Sequence, residues 1–297
     1  MELWVNKYRP QIIDDFMGSL NLLNQIDYFL EKGNIPHLLF YGPAGTGKTS
    51  LAKLIVKELE CEYLYINASD ERGIDTIRDK IIPFASSMGF GSTKVVILDE
   101  SDYLTPQAQA TLRNTMETFS VNTRFILTCN YLERIISPLQ SRCQSFEITP
   151  PDKKEVKEYC WKLLKQEEIE HSKEDLQGVI TQFYPDIRKI INTFQGSIVS
   201  NRLVIDDGSI KNSEIGPKVI EGLKKRNNIA NLRQTIASSG AKEFDGLFRY
   251  LYDNVSSFTK NEGEAILAIA KYQYEYTFVI DKEICIAAML NKLLKLC

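Results

Sequence analysis

The chain has 297 residues, of which 43% are hydrophobic and 25% charged; that length supports two or three packed domains and excludes a small stapled scaffold. A formal net charge of −3 gives no global basic signal for nucleic acid, although basic residues gathered on one face of an acidic protein still meet a phosphate backbone. Six scattered cysteines without a C-x-x-C pair, only two histidines (His37 and His171), no signal-like apolar core in MELWVNKYRP and no apolar run long enough to span a bilayer argue against a zinc site and for a soluble intracellular protein with free thiols.

The first half alternates short apolar runs with helical stretches. Residues 37–41 (HLLFY) read as a strand ending at a glycine-rich loop, and 49–59 carries Leu51, Leu54, Ile55 and Leu59 on one helical face. Residues 62–67 read as a second strand and 74–85 as a helix despite Pro83. Residues 94–99 (KVVILD) form an apolar strand that ends on a carboxylate pair, 106–119 a helix, and 124–130 (RFILTCN) a fourth strand. Strands apolar throughout and separated by helices indicate a parallel sheet covered on both faces, an α/β domain. After 146–151 the pattern turns helical. Residues 152–168 are amphipathic. Residues 172–183 open with Ser172 as N-cap and acids at Glu174 and Asp175, and 185–194 has Pro185 in its first turn. A Gly-, Ser-, Asn- and Asp-rich stretch at 196–217 reads as a linker, and helices continue to Cys297. The division expected is a nucleotide-binding α/β domain over 1–148, a helical lid over 149–200 and a helical domain over 210–297.

Gly42-Pro43-Ala44-Gly45-Thr46-Gly47-Lys48-Thr49 matches G-x-x-x-x-G-K-[ST] between a predicted strand and a predicted helix. Glycines let the backbone fold into a nest of N–H groups, and the following helix points its positive end at an anion. Lys48 would reach the β- and γ-phosphates of ATP or GTP, and Thr49 would set its hydroxyl on Mg²⁺. Asp99, at the end of an apolar strand, is the expected Mg²⁺-holding acid. Glu100 beside it is the expected general base for an attacking water. Asn130, closing the next strand, is a neutral amide positioned to fix that water.

These pieces, in this order, resemble the AAA+ clamp-loader ATPases, the replication factor C small subunits and their T-even-type phage counterpart. The resemblance covers nearly all of the first 195 residues. It rests on VNKYRP with DDFMG, NASDERGIDTIR at 67–78, DESDYLT, AQATLRNTME, SPLQSRC and YPDIRKIIN. It implies a P-loop AAA+ domain followed by a helical lid and a helical collar that assembles subunits into a ring. The resemblance places Val5, Asn6, Lys7, Tyr8 and Met17 around the adenine and Gly45, Thr46, Gly47, Lys48, Thr49 and Ser50 around the phosphates. Asn130 becomes sensor 1, Arg188 sensor 2 on the γ-phosphate, and Arg142 an arginine finger serving the ATP of a neighbouring subunit. Gln109 and Arg113, one helical turn apart, would couple DNA contact to hydrolysis. Arg72, Arg78 and Lys80 would meet the DNA backbone without reading bases.

The implied activity is ATP hydrolysis that opens and loads a sliding clamp onto primer–template DNA. The implied partners are further loader subunits in a pentameric spiral, the clamp and the DNA, at the site of replication (host cytoplasm if phage-encoded). Two alternatives stand beside it: another AAA+ motor, such as a branch-migration helicase or protein remodeller, and a non-catalytic assembly subunit. The retention of Lys48, Thr49, Asp99, Glu100, Asn130, Arg142 and Arg188 argues against the latter. The chain departs from many cellular members in Tyr184-Pro185-Asp186, where they carry a Gly-Asp pair, which leans towards the phage branch; it also has Ser101 in the third place of the D-E-x-D box.

Overall fold

The computed structural model describes residues 2–87, 93–204, 207–226, 228–238 and 244–297, the side chains of 207–214 and 245 excepted. The chain divides into two compact units: Met1–Tyr159 with Pro185–Asn192, and Cys160–Tyr184 with Thr193–Cys297. The boundary falls within the helices Lys153–Gln166 and Ile187–Gly196.

The first unit is built on five parallel strands: β1 (Leu38–Tyr41), β2 (Tyr63–Asn67), β3 (Lys94–Asp99), β4 (Thr123–Cys129) and β5 (Gln144–Glu147), in the order β2-β3-β4-β1-β5. The central strands are apolar on both faces because both are covered. Leu38 and Phe40 of β1, Val95 and Ile97 of β3 and Ile126 of β4 enter one core with Leu51 and Ile55 of helix Lys48–Glu58. Their alternate neighbours Leu39, Val96, Leu98, Phe125 and Leu127 enter the other with Ile77, Ile81 and Leu112. Successive side chains of a strand point to opposite faces, so continuous apolar runs are what a doubly covered sheet needs.

β5 escapes sequence reading. It is an edge strand, QSFE, mostly exposed, and backbone pairing with β1 holds it rather than apolar burial. The expected helix at 74–85 runs from Ile74 to Ser86 but widens into a π-turn over Ile77–Ile81 just before Pro83, which has no N–H to give to the preceding turn. Helix Pro106–Thr118 begins with Thr105 as N-cap, its hydroxyl accepting from Ala108 N at 3.2 Å, and Pro106 in the first turn.

Ser172 caps helix Lys173–Phe183 as expected, accepting from Asp175 N at 2.9 Å. Pro185 lies outside the next helix. Asp186 is its cap, accepting from Lys189 N at 2.9 Å, and the helix begins at Ile187. The expected linker at 196–217 is also corrected. It holds a short antiparallel pair, β6 (Ile198–Val199) and β7 (Arg202–Leu203), and the first half of helix Asp207–Lys224, with Pro217 inside it; residues 205 and 206 of that stretch lie outside the described residues. Packing overrides the local breakers: Ile215, Val219, Ile220 and Leu223 join a core with Phe248, Ile269, Ile286 and Leu290. Gly216 admits the ring of Tyr250, which a Cβ there would meet at 2.4 Å. The second unit is otherwise helical through Ile229–Ser238, Asp245–Asp253, Glu262–Tyr276 and Lys282–Leu294. Among the described residues no helix is long and apolar enough to cross a membrane, and all six cysteines are free thiols.

Candidate nucleotide-binding site

The site lies at the carboxyl ends of β1, β3 and β4, beside the point where the sheet order turns from β1 to β4, a place where open α/β sheets leave a crevice. The loop after β1 takes left-handed backbone at Gly45 (φ +76°) and Gly47 (φ +96°). A side chain at Gly45 would put its Cβ 2.0 Å from Asp186 Oδ1, and one at Gly47 would meet Phe16 at 2.8 Å, so both positions need glycine for shape as well as for conformation. Lys48 opens the following helix. Its ammonium donates to Gly42 O at 2.8 Å and Pro43 O at 2.7 Å. Burial lowers its pKa, Cys129, Asp102 and Asp99 push it back up, and Arg188 lowers it further.

Asp99 gathers three hydroxyls. Thr49 donates to Oδ1 at 2.7 Å, Thr128 to the same oxygen at 2.5 Å, and Tyr65 to Oδ2 at 2.8 Å. Thr49 and Asp99 thus present two hard oxygen ligands at one point next to the phosphate cradle, the donor chemistry that suits a Mg²⁺ ion shared with phosphates. Burial, the hydrogen bond to Asp99 and the charges of Asp99 and Glu100 raise the Tyr65 phenol far above its usual pKa, with Arg9 opposing, so it remains a proton donor. Glu100 sits in the left-handed region (φ 54°, ψ 42°), uncommon for a residue with a side chain. Its N–H is held by Thr128 Oγ1 at 3.0 Å, so one threonine ties both acids. Ala44, Gly45, Gly47, Lys48, Thr49, Ser50, Asp99, Glu100, Asn130 and Arg188 line one continuous cleft. Asn130 lies just past the end of β4 rather than within it.

A second cleft adjoins it, sharing Gly45, Gly47, Ser50 and Arg188, and adding Val5, Met17, Thr46, Phe16, Tyr159, Ile187 and Ile191. Its walls are mostly apolar, as a base-binding recess requires. Of the residues expected around the base, Val5 and Met17 line this cleft. Asn6, Lys7 and Tyr8 are not among its lining residues; the Tyr8 carbonyl instead accepts from the Tyr159 hydroxyl at 2.8 Å. Tyr65, Thr128 and Tyr159 escape sequence reading, because each acts through a contact distant in sequence and none belongs to a spacing rule; Phe16 and Asp186 fall within the segments DDFMG and YPDIRKIIN, but their contacts with the phosphate loop are visible only in the fold.

The remaining residues lie elsewhere. Arg142 lines neither cleft; it pairs with Glu117 and donates to Pro138 O at 2.8 Å. Gln109 and Arg113 share a helix but not an environment. Gln109 is 2% exposed and makes three bonds, donating to Leu104 O at 3.2 Å and Arg134 O at 3.0 Å and accepting from Ile136 N at 2.9 Å. Arg113 stays at the surface against Asn114. Arg72, Arg78 and Lys80 are exposed, and Lys80 pairs with Glu71 at 2.6 Å.

The model of the ATPase family associated with various cellular activities (AAA) matches residues 38–150. Parallel sheet, phosphate loop and paired acids therefore define an AAA-type ATPase, an ATP-hydrolysing enzyme. Within that class the chain is 35% identical over 312 residues to the replication factor C small subunit of Natronomonas pharaonis, covering 98% of this chain and 95% of that protein. It is 44% identical over 209 residues to the replication factor C small subunit of Haloarcula marismortui, where the match covers 68% of this chain and 64%, just under two thirds, of the relative. The chain belongs to the replication factor C small-subunit family. RuvB of Thermotoga maritima, a Holliday junction branch migration motor, matches with a TM-score of 0.58 at 20% identity over 83% of this chain and 91% of that one; at that identity the likeness shows the fold alone.

Proposed function

We propose that this protein is an ATPase subunit of a sliding-clamp loader, acting in DNA replication with further loader subunits, a ring-shaped clamp and primer–template DNA. The observation that carries this reading is the division of the cationic and polar groups. Lys48, Thr49, Asp99, Glu100, Asn130 and Arg188 line one cleft, while Arg142 is held outside it. A cleft that carries Lys48 and Arg188 while Arg142 stands apart from it suits a ring or spiral in which each Arg142 serves the site of a neighbouring subunit.

In this reading ATP lies along the two clefts, with its base against Val5 and Met17 and its phosphates over Gly45–Ser50. Thr49 and Asp99 would hold Mg²⁺, which would supply neutralisation of phosphate charge when bound. Lys48 and Arg188 stabilise charge on the transferred phosphoryl group. Glu100 takes the proton of the attacking water, which Asn130 orients. Arg142 reaches the nucleotide of the adjacent subunit. Helix Pro106–Thr118 links these events, because Thr105 N bonds Arg72 O at 3.1 Å at its start, Gln109 grips 134–136 from its first turn, and Glu117 holds Arg142 near its end. Arg72, Arg78 and Lys80 take the DNA backbone. The nucleotide-binding domain, lid and collar correspond to 1–148, 149–200 and 210–297.

The test is steady-state ATP hydrolysis by the assembled loader, alone and with primer–template DNA plus the matching clamp. Synergistic stimulation, lost on Arg142→Ala without loss of nucleotide binding, supports the reading. Hydrolysis indifferent to DNA and clamp overturns clamp loading and leaves the ATPase.

A further inference from the structure

Tyr65 stands on β2, an edge strand of the sheet, and is 37% exposed. Such a residue is ordinarily a strand former that covers part of an edge. Its hydroxyl argues for more. In the pairing of β2 with β3, Tyr65 lies opposite Ile97 and Asn67 opposite Asp99. The phenol crosses this offset to donate to Asp99 Oδ2 at 2.8 Å. Asp99 is 7% exposed, and its other oxygen, Oδ1, takes the hydroxyls of Thr49 and Thr128.

A carboxylate on a single Cβ–Cγ bond is free to swivel unless both oxygens are engaged. Thr49 is the donor that the proposed metal would also claim. Among the described residues, Thr128 and Tyr65 are therefore the two that orient the carboxylate independently of the ion, and Tyr65 is the donor to Oδ2. The ring is held in turn. Lys53, one helical turn after Thr49 on the same helix, sets its ammonium 4.3 Å from the ring centroid. One helix face thus carries both the hydroxyl ligand and the clamp on the residue that aims the carboxylate. Groups that orient a metal ligand tune its affinity without touching the ion.

We infer that Tyr65 is a positioning residue of the metal site, whose phenol fixes the Asp99 carboxylate in the orientation that Mg²⁺-dependent nucleotide binding uses. The inference rests on the proposed role of Asp99 towards Mg²⁺.

The test compares full-length wild type, Tyr65→Phe and Asp99→Asn by the affinity of a fluorescent ATP analogue in Mg²⁺ and in EDTA. Phenylalanine keeps the ring, the Lys53 contact and the strand preference and removes only the donor. The affinity in EDTA is expected to match wild type, which also reports an intact phosphate loop, while the gain on adding Mg²⁺ falls about ten-fold and is restored by raising Mg²⁺. A Mg²⁺ gain equal to wild type in Tyr65→Phe, with the gain lost in Asp99→Asn, overturns the role of Tyr65 alone. A gain retained in Asp99→Asn overturns the metal role of Asp99 itself. Equal weakening of Tyr65→Phe in Mg²⁺ and EDTA shows a merely structural residue and also overturns the inference.

Discussion

Replacing Gln109 with leucine removes a buried amide of nearly the same size and leaves three backbone groups without it: Leu104 O, Arg134 O and Ile136 N. The bond to Leu104 O is fully buried, and its loss costs about 1–3 kcal/mol. The other two are partly buried, so water replaces them in part, at about 1 kcal/mol each. Added apolar burial of leucine returns about 1 kcal/mol. The net expectation is a destabilisation of roughly 2–4 kcal/mol of the first unit. The two tryptophans allow this unit to be followed by itself: Trp4 is 4% exposed and belongs to it, and Trp161, 46% exposed, belongs to the second unit. In a Trp161→Phe background, urea unfolding monitored by Trp4 fluorescence should show a lower midpoint at unchanged slope. A loss under about 0.5 kcal/mol, the range of surface substitutions, would refute the idea that Gln109 is a buried three-way tie.

Glu100→Gln is expected to keep nucleotide affinity and to lower turnover by about 10²–10⁴-fold, the range for loss of a general base; unchanged turnover in single-turnover hydrolysis would refute the assignment. His37 offers a pH test. Its Nδ1 accepts from Phe125 N at 3.1 Å, so the folded state uses the neutral ring, and burial first, then Arg124, depresses its pKa to about 4 from 6.5. Between those values the unfolded chain binds the extra proton, so the contribution of His37 to stability is fully present above pH about 6.5 and is lost as pH falls towards about 4. Urea midpoints measured across pH 4–7 should show this slope in wild type and a shallower one in His37→Asn, which keeps an acceptor but does not titrate.

Much of the architecture was legible in the chain. The runs at 37–41, 94–99 and 124–130 announce buried parallel strands because a sheet covered on both faces has no solvent side to encode. The phosphate loop, Lys48, Thr49 and the acid pair are legible for a related reason: a phosphate cradle requires fixed residue types at fixed spacing. Local signals fail where tertiary contacts decide. β5 is polar and persists by pairing with β1; Pro217 reads as a linker residue and lies in a helix whose neighbours pack a core; Pro185 reads as a helix start and Asp186 takes that place.

The site divides along the same line. Sequence by itself determined that the protein has a nucleotide-binding loop and an acid pair, since covalent order sets the spacing of Gly42 to Thr49 and places Glu100 beside Asp99. Only the tertiary structure decided how those acids are aimed and what completes their surroundings. Tyr65 and Thr128 approach Asp99 from strands 34 and 29 residues distant in the chain, Gln109, paired with Arg113 by helical spacing, is a buried tie while Arg113 is not, and Arg142 is set apart from the cleft. Spacing rules capture contacts made within one turn of chain; a hydrogen bond across adjacent strands depends on sheet order and register, which folding fixes by burying both faces of the sheet at once.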